Sequence, residues 1–254
     1  MRLDLCSWLE VEAYLQRNTT VILPTGSTEQ HGPMGLIGTD ALCAGTIARL
    51  AGERTGTLVA PTLAYTPAPF NTAFPGTISV SAETFRTVVA EIMTGLYGQG
   101  FRRIYVLNGH GANLEPIRLA ASGIEAAEDR EFRLRSWWEF EAVGKLRTEL
   151  YGDWEGMHAT PSEVAITQAT HRVLPPGTAT QPPRKLSADY IRSHAGDRHG
   201  PPDEHRRDFP DGRVGSHSAL ARPEHGTALI EAAVDGLTGD LQEWLGNLQP
   251  DLFL

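Results

Sequence analysis

Apolar positions along the chain switch repeatedly between the period of a strand and that of a helix. Residues 20–24 (TVILP) form a short apolar, β-branched run, the pattern of a buried strand. Ala41, Leu42, Ala44, Ile47, Ala48, Leu50 and Ala51 then follow a helical period that spans residues 39–54. Residues 57–61 (TLVAP) read as a second strand. Ser81 is placed to cap a helix with the stripe Phe85, Val88, Val89, Ile92, Met93 and Leu96, and Gly98 and Gly100 end it. Residues 103–107 (RIYVL) predict a third strand, Asn113 caps a further helix through Ala127, and residues 132–138 predict a fourth strand. Such alternation predicts an α/β protein whose parallel sheet carries helices on both faces.

Beyond about residue 145 the pattern loosens. Residues 175–183 (PPGTATQPP) read as an extended, proline-rich spacer, and residues 194–213 as a polar stretch. Residues 222–245 return to a long helix with Leu229, Ile230, Ala233, Leu237 and Leu241 on one face. No repeat interrupts the chain, so the expectation is one domain over residues 1–254.

Composition narrows the class. Hydrophobic residues at 41% and charged residues at 21% exclude a disordered chain. A net charge of −9 argues against sequence-independent binding to nucleic acid. Two cysteines, Cys6 and Cys43, exclude a disulfide framework and suit a reducing cytosol. Residues 1–10 lack the apolar run of a signal peptide, and residues 251–254 lack a lipidation box. No stretch approaches the roughly 20 apolar residues of a membrane helix. The expectation is a soluble, cytoplasmic protein, without nucleic acid or membrane as partner.

The chemistry concentrates after two strands. The first runs into residues 25–33 (TGSTEQHGP) and then Asp40. In extended chain, Glu29 and His31 fall on the same side. The third strand runs into residues 108–113 (NGHGAN), where two glycines flank His110 and let the backbone turn. In open α/β sheets ligands bind beyond the carboxyl ends of strands. Imidazole with carboxylate suits Zn²⁺, Mn²⁺ or Fe²⁺, and Asp40 is the natural bridge between two such ions. The plainer alternative makes Asp40 a helix cap and both histidines satisfied loop residues. Residues 160–163 (TPSE) have the form of a capping box, which gives Glu163 a structural role. His158 lies just before that helix and can carry a proton near neutral pH, or be a surface histidine. Trp137, Trp138 and Trp154 either line a pocket or fill the core. Residues 74–78 (FPGTI) read as a rigid turn into a strand, and His194, His199, His205, His217 and His225 as solvated loop residues rather than a second metal cluster.

These segments together resemble the creatininase family of metal-dependent amidohydrolases. The resemblance rests on residues 26–33 with Asp40, on residues 74–78, on residues 108–113, and on His158 with Ser162 and Glu163. It implies a three-layer α/β/α fold with a mostly parallel central sheet, two divalent ions per chain (Zn²⁺ and/or Mn²⁺, with Fe²⁺ as a further candidate), and a homo-oligomer, usually a hexamer. It implies hydrolysis of a C–N bond in a small cyclic amide such as creatinine. Glu29, His31, Asp40 and His110 match the family's ligands, with Asp40 bridging. Trp138, Trp154 and Glu155 match substrate-binding positions, Glu155 standing where creatininase has an aspartate. His158 matches the proton-transfer histidine. The family's glutamate ligand two residues after the motif histidine is replaced by Ala112, and Glu163 is the best substitute. A histidine common before the FPGT motif is absent from residues 68–73 (APFNTA). In the implied reaction, water activated by the ions attacks the carbonyl and His158 protonates the departing nitrogen. The alternatives are a deformylase of formamides or formamidopyrimidines, a cofactor-maturation peptidase, or a non-catalytic metal-binding member.

Overall fold

A computed structural model describes residues 1–124 and 129–246. Four strands form one sheet: β1 (Thr20–Thr25), β2 (Leu58–Val59), β3 (Arg103–Asn108) and β4 (Glu131–Ser136). Their order is β2-β1-β3-β4 and all pairings are parallel. β1 and β3 run in register from Thr20 opposite Arg103 to Thr25 opposite Asn108.

Successive side chains of a strand face opposite ways, and each central strand is apolar on both faces. Ile22, Tyr105 and Leu107 point into one core with α2 (Thr39–Thr55), α5 (Glu141–Tyr151), α6 (Pro161–Thr170) and α9 (Pro223–Trp244). Val21, Leu23, Ile104 and Val106 point into the other, with Tyr14 of α1 (Trp8–Leu15), α3 (Ala82–Gly98) and α4 (Leu114–Ser122). The result is the expected three-layer α/β/α arrangement. Burying each such Val, Leu or Ile is worth ~1.5–3 kcal/mol.

Several boundaries differ from the sequence reading. The second strand shrinks to two residues. The fourth ends at Ser136, and Trp137–Glu139 turn into a short 3-10 helix closed by a capping box between Ser136 and Glu139. Asn113 precedes α4 without capping it; its amide donates instead to the Gly26 carbonyl (2.9 Å), tying the loop after β3 to the loop after β1. α4 ends at Ser122, and its expected extension to Ala127 falls outside the described residues. The turn at Phe74 leads into no strand; Ile78 makes one isolated bridge to Thr28. The 175–183 segment is not an extended spacer, because Gly177–Thr180 coil into a 3-10 turn and Ala179 is buried, its carbonyl held by Arg213. Nor are residues 194–213 wholly solvated: α8 (Pro202–Asp208) folds back and buries His205.

The chain leaves β1 toward β2 on one side, while β3 lies on the other. The carboxyl ends of β1 and β3 therefore flank the point where connections diverge, the usual crevice of an open α/β sheet.

Candidate metal centre

At that crevice the loop after β1, the first turn of α2 and the loop after β3 meet. Gly109 permits the approach without turning the backbone through a positive φ. A Cβ there would stand 2.5 Å from the carbonyl oxygen of Asp40. Asn108 holds the turn, accepting from the His110 N–H (3.2 Å) and donating to the His110 carbonyl (2.8 Å).

Asp40 caps nothing. The residue before α2 is Gly38, and the Asp40 carboxylate turns into the crevice. One oxygen lies 2.8 Å from His31 Nε2; the other lies 3.0 Å from His110 Nδ1 and accepts from the Ser27 hydroxyl (2.8 Å). Two oxygens thus serve two histidines. Glu29 accepts from the Asn71 amide through Oε2 (2.7 Å). Its Oε1 is buried without a hydrogen-bond partner, 3.0 Å from His110 Nδ1 and 3.9 Å from His158 Nδ1.

The ring orientations follow from what each histidine is tied to. A carbonyl oxygen only accepts, so a ring nitrogen beside one must carry the proton. His31 Nδ1 faces the Glu29 carbonyl (3.1 Å), His110 Nε2 the Pro67 carbonyl (2.7 Å), and His158 Nε2 the Gln30 carbonyl (2.7 Å). In each ring the other nitrogen faces carboxylates. Metal-ligating histidines are held this way, with one N–H donated to an outer partner.

The fields agree. Burial opposes charge on His31 and His110, but Asp40, Glu163 and Glu29 outweigh it, lifting His31 to about 10 and His110 well above its ordinary value. Burial likewise resists ionising Asp40, yet His31 and His110 hold it well below the carboxylate range. His158 is different: burial dominates and pushes it down to about 4, so it is neutral at physiological pH.

Glu163 caps its helix and also approaches His31. Its Oε1 accepts from the Thr160 N–H (2.5 Å) and Thr160 returns a bond to its backbone, a complete capping box. The same oxygen lies 3.8 Å from His31 Nε2. Burial raises its carboxyl to about 8.

Among the described residues, three donor sets lie close enough to hold an ion: Glu29, Asp40 and His110; His31, Asp40 and Glu163; and Glu29, His31 and His158. Asp40 belongs to two of them. The orphaned Glu29 oxygen and the inward nitrogens of three histidines, once His31 and His110 give up the protons held there, fit divalent cations.

A cavity of about 170 Å³ opens over Asp40, His110, His158 and Glu163, with Trp138 and Met157 in its wall. Trp137, largely buried in the core, also borders the cavity and packs edge-on against Trp138. Trp154 and Glu155 are not part of the lining. Trp154 packs on His217 and under the Lys185 ammonium. Glu155 pairs with Arg147 (2.8 Å) and accepts from the Ser162 hydroxyl, and it is Arg147 that reaches the cavity. His158 is no surface histidine; its backbone pairs with Val214, and Ala159 after it adopts a left-handed φ of 56°. Of the later histidines, His199 and His205 stack with Phe70 beside the centre.

The sequence reading did not find Ser27, Gln30, Asn71 or Asp197 here. Gln30 and Asn71 are hydrogen-bonded to each other (2.8 Å) and both reach His158. No spacing signal connects Asn71 or Asp197 to the β1 loop, since each arrives from a distant segment.

The creatininase family model, described as creatinine amidohydrolase, matches residues 4–241. The chain belongs to the creatininase family. It is an amidohydrolase acting on carbon–nitrogen bonds other than peptide bonds. The creatinine amidohydrolase of Pseudomonas putida is 28% identical over 93% of this chain and 94% of its own length. The mycofactocin precursor peptide peptidase of Mycobacterium ulcerans (strain Agy99) is 34% identical over 42% of this chain and 46% of its own. Two solved creatininase structures are similar in fold, each covering 96% of this chain and 98% of its own at 24% identity. One, described as a manganese creatininase, has a TM-score of 0.77, and the Zn–Zn type of a mutant creatininase has 0.79. Among the described residues no helix is long and apolar enough to cross a membrane.

Proposed function

We propose that this creatininase-family chain is a dinuclear, metal-dependent hydrolase of small cyclic amides, with creatinine as the type substrate and creatine as its product. The observation that carries the reading is the shared design of His31, His110 and His158, each tied to a backbone carbonyl on one nitrogen and turned toward buried carboxylates on the other. Glu29, Asp40 and His110 would hold one ion and His31, Asp40 and Glu163 the other, with Asp40 shared. Two Zn²⁺ or Mn²⁺ ions would lower the pKa of a water from ~16 to ~7 and draw charge onto the amide oxygen.

His158 supplies the proton transfer. Its free Nδ1 is neutral and faces the centre, so it can take a proton as the water attacks the carbonyl carbon. It returns that proton to the nitrogen as the C–N bond breaks, which prevents departure as a poor anion. Trp138 gives the ring a flat wall. Glu155 and Trp154 act from behind the lining, Glu155 by holding Arg147 toward the cavity.

The cavity volume, about 170 Å³, is below the ~300–1,000 Å³ of drug-sized pockets and supports a small ring over a peptide. A formamide or formamidopyrimidine deformylase would use the same centre. The partial likeness to a precursor-peptide peptidase supports cofactor maturation as the second reading. We read the working form as one domain per chain in a cytoplasmic homo-oligomer, which the free Cys6 and Cys43 suit. Metal-loaded protein should be assayed against creatinine, cyclic ureides, formamides and a small peptide. Turnover of a cyclic amide supports the proposal. Turnover of the peptide alone moves the protein to the second reading, and metal retention without any turnover supports a non-catalytic member.

A further inference from the structure

The loop that carries His110 offers no carboxylate of its own: residues 108–113 are NGHGAN. A carboxylate reaches this turn from elsewhere. Asp197, between α7 (Ala188–Ser193) and α8, is buried against it, with Oδ2 accepting from the Ala112 N–H (3.1 Å) and lying 3.5 Å from His110 Nδ1. The fit depends on Gly111, because a Cβ at that position would collide with the Asp197 carboxylate. Asp197 also holds a left-handed φ of 57°. A non-glycine residue pays for such a backbone only where its surroundings fix it.

We infer that Asp197 is a ligand of the ion set formed by Glu29, Asp40 and His110, delivered to the centre by the α7–α8 segment. This rests on the dinuclear reading above. The distances carry it. Donors at ~2.0–2.1 Å from a tetrahedral ion stand ~3.3–3.4 Å from one another. Around His110 Nδ1 the oxygens of Glu29, Asp40 and Asp197 lie at 3.0, 3.0 and 3.5 Å. The inward Nδ1 of His110 thus faces three carboxylates from three segments, Asp197 standing just outside the close donor set that Glu29, Asp40 and His110 form. His199 backs the fourth donor. Its side chain is fully buried, its Nε2 has no hydrogen-bond partner and lies 3.9 Å from Asp197 Oδ1, and its ring packs on Phe70 and His205. The polar segment 194–208 therefore completes the centre and covers it at the same time.

The test is a metal titration of chelator-stripped wild type, Asp197→Asn and Asp197→Ala with Zn²⁺ or Mn²⁺, read as ions per chain and as Kd for each. Asparagine keeps the volume and the acceptor for the Ala112 N–H while removing the charge. The inference expects both variants to bind one ion as wild type does and the other roughly 10–100-fold more weakly, the loss seen even for partners one layer further out. Ala112→Glu in the Asp197→Ala background should recover part of that affinity by returning a carboxylate to the turn. Two ions bound with unchanged affinity in Asp197→Asn would overturn the inference and leave Asp197 a loop anchor. A wild type that binds no ion would instead overturn the dinuclear reading itself. If Asp197→Ala misfolds, Asp197→Asn still decides.

Discussion

Asp40 is where the site's geometry converges, because its two oxygens face His31 and His110 separately. Asp40→Ala should therefore abolish binding of both ions, whereas loss of a helix cap would cost only ~0.5–2 kcal/mol of stability. Elemental analysis separates the outcomes: a variant with wild-type metal content would overturn Asp40 as the shared ligand. His158 calls for the opposite result. Its Nε2 is committed to Gln30, and Asn71 and Gln30 crowd the same edge. His158→Ala should keep both ions while kcat falls by roughly 10²–10⁴, the range for a general acid–base group. The loss should shrink for substrates whose leaving nitrogen is a weaker base; metal loss in the variant would make the residue a ligand. Most of these side chains were legible in the sequence because they sit at fixed offsets from two strand ends. Glu163 was legible as a cap, and the same oxygen, Oε1, meets both Thr160 and His31. Asn71 and Asp197 were not legible, since polar residues in loops carry no period and their approach to Glu29 and His110 exists only in three dimensions.

At the scale of elements, apolar periodicity located β1, β3, α2, α3 and α9 to within a residue or two. These are the segments whose burial is continuous or one-sided. Misreadings came where local signals compete. Residues 132–138 (FRLRSWW) read as one strand, but Ser136 starts a capping box that bends Trp137 and Trp138 away from the strand. Residues 194–213 look solvated because their charges dominate, although His199 and His205 are drawn in by Phe70. The packing of α2 against the β3 turn gives a sharp test. Gly109→Ala places a methyl 2.5 Å from the Asp40 carbonyl oxygen and 3.2 Å from the Ala44 side chain. Overpacking of this kind costs ~1–3 kcal/mol. The urea midpoint should fall with an unchanged m-value, and metal affinity should fall with it as Asp40 moves from His110. An unchanged midpoint and affinity would mean that the turn adjusts freely and does not set the Asp40–His110 distance.

In the described residues, one crevice gathers the buried Glu29, Asp40 and Glu163, with the nearly buried Asp197, around the imidazoles of His31 and His110. So many buried carboxylates are costly unless positive charge meets them. Protons on the two histidines meet part of that field, which is why both are pushed far above their ordinary values. Divalent ions meet it more fully, and their binding must then stabilise the fold. A thousandfold excess of free ion over Kd contributes ~4 kcal/mol per site, which for a chain of this size is on the order of 10 °C in Tm. The most direct measurement is the number of ions bound per chain when chelator-stripped protein is titrated with Zn²⁺ or Mn²⁺, with Tm followed at each point. The shared-carboxylate centre predicts saturation at two ions per chain and a rise in Tm across the titration. Saturation at one ion, or no binding and a flat Tm, would contradict it.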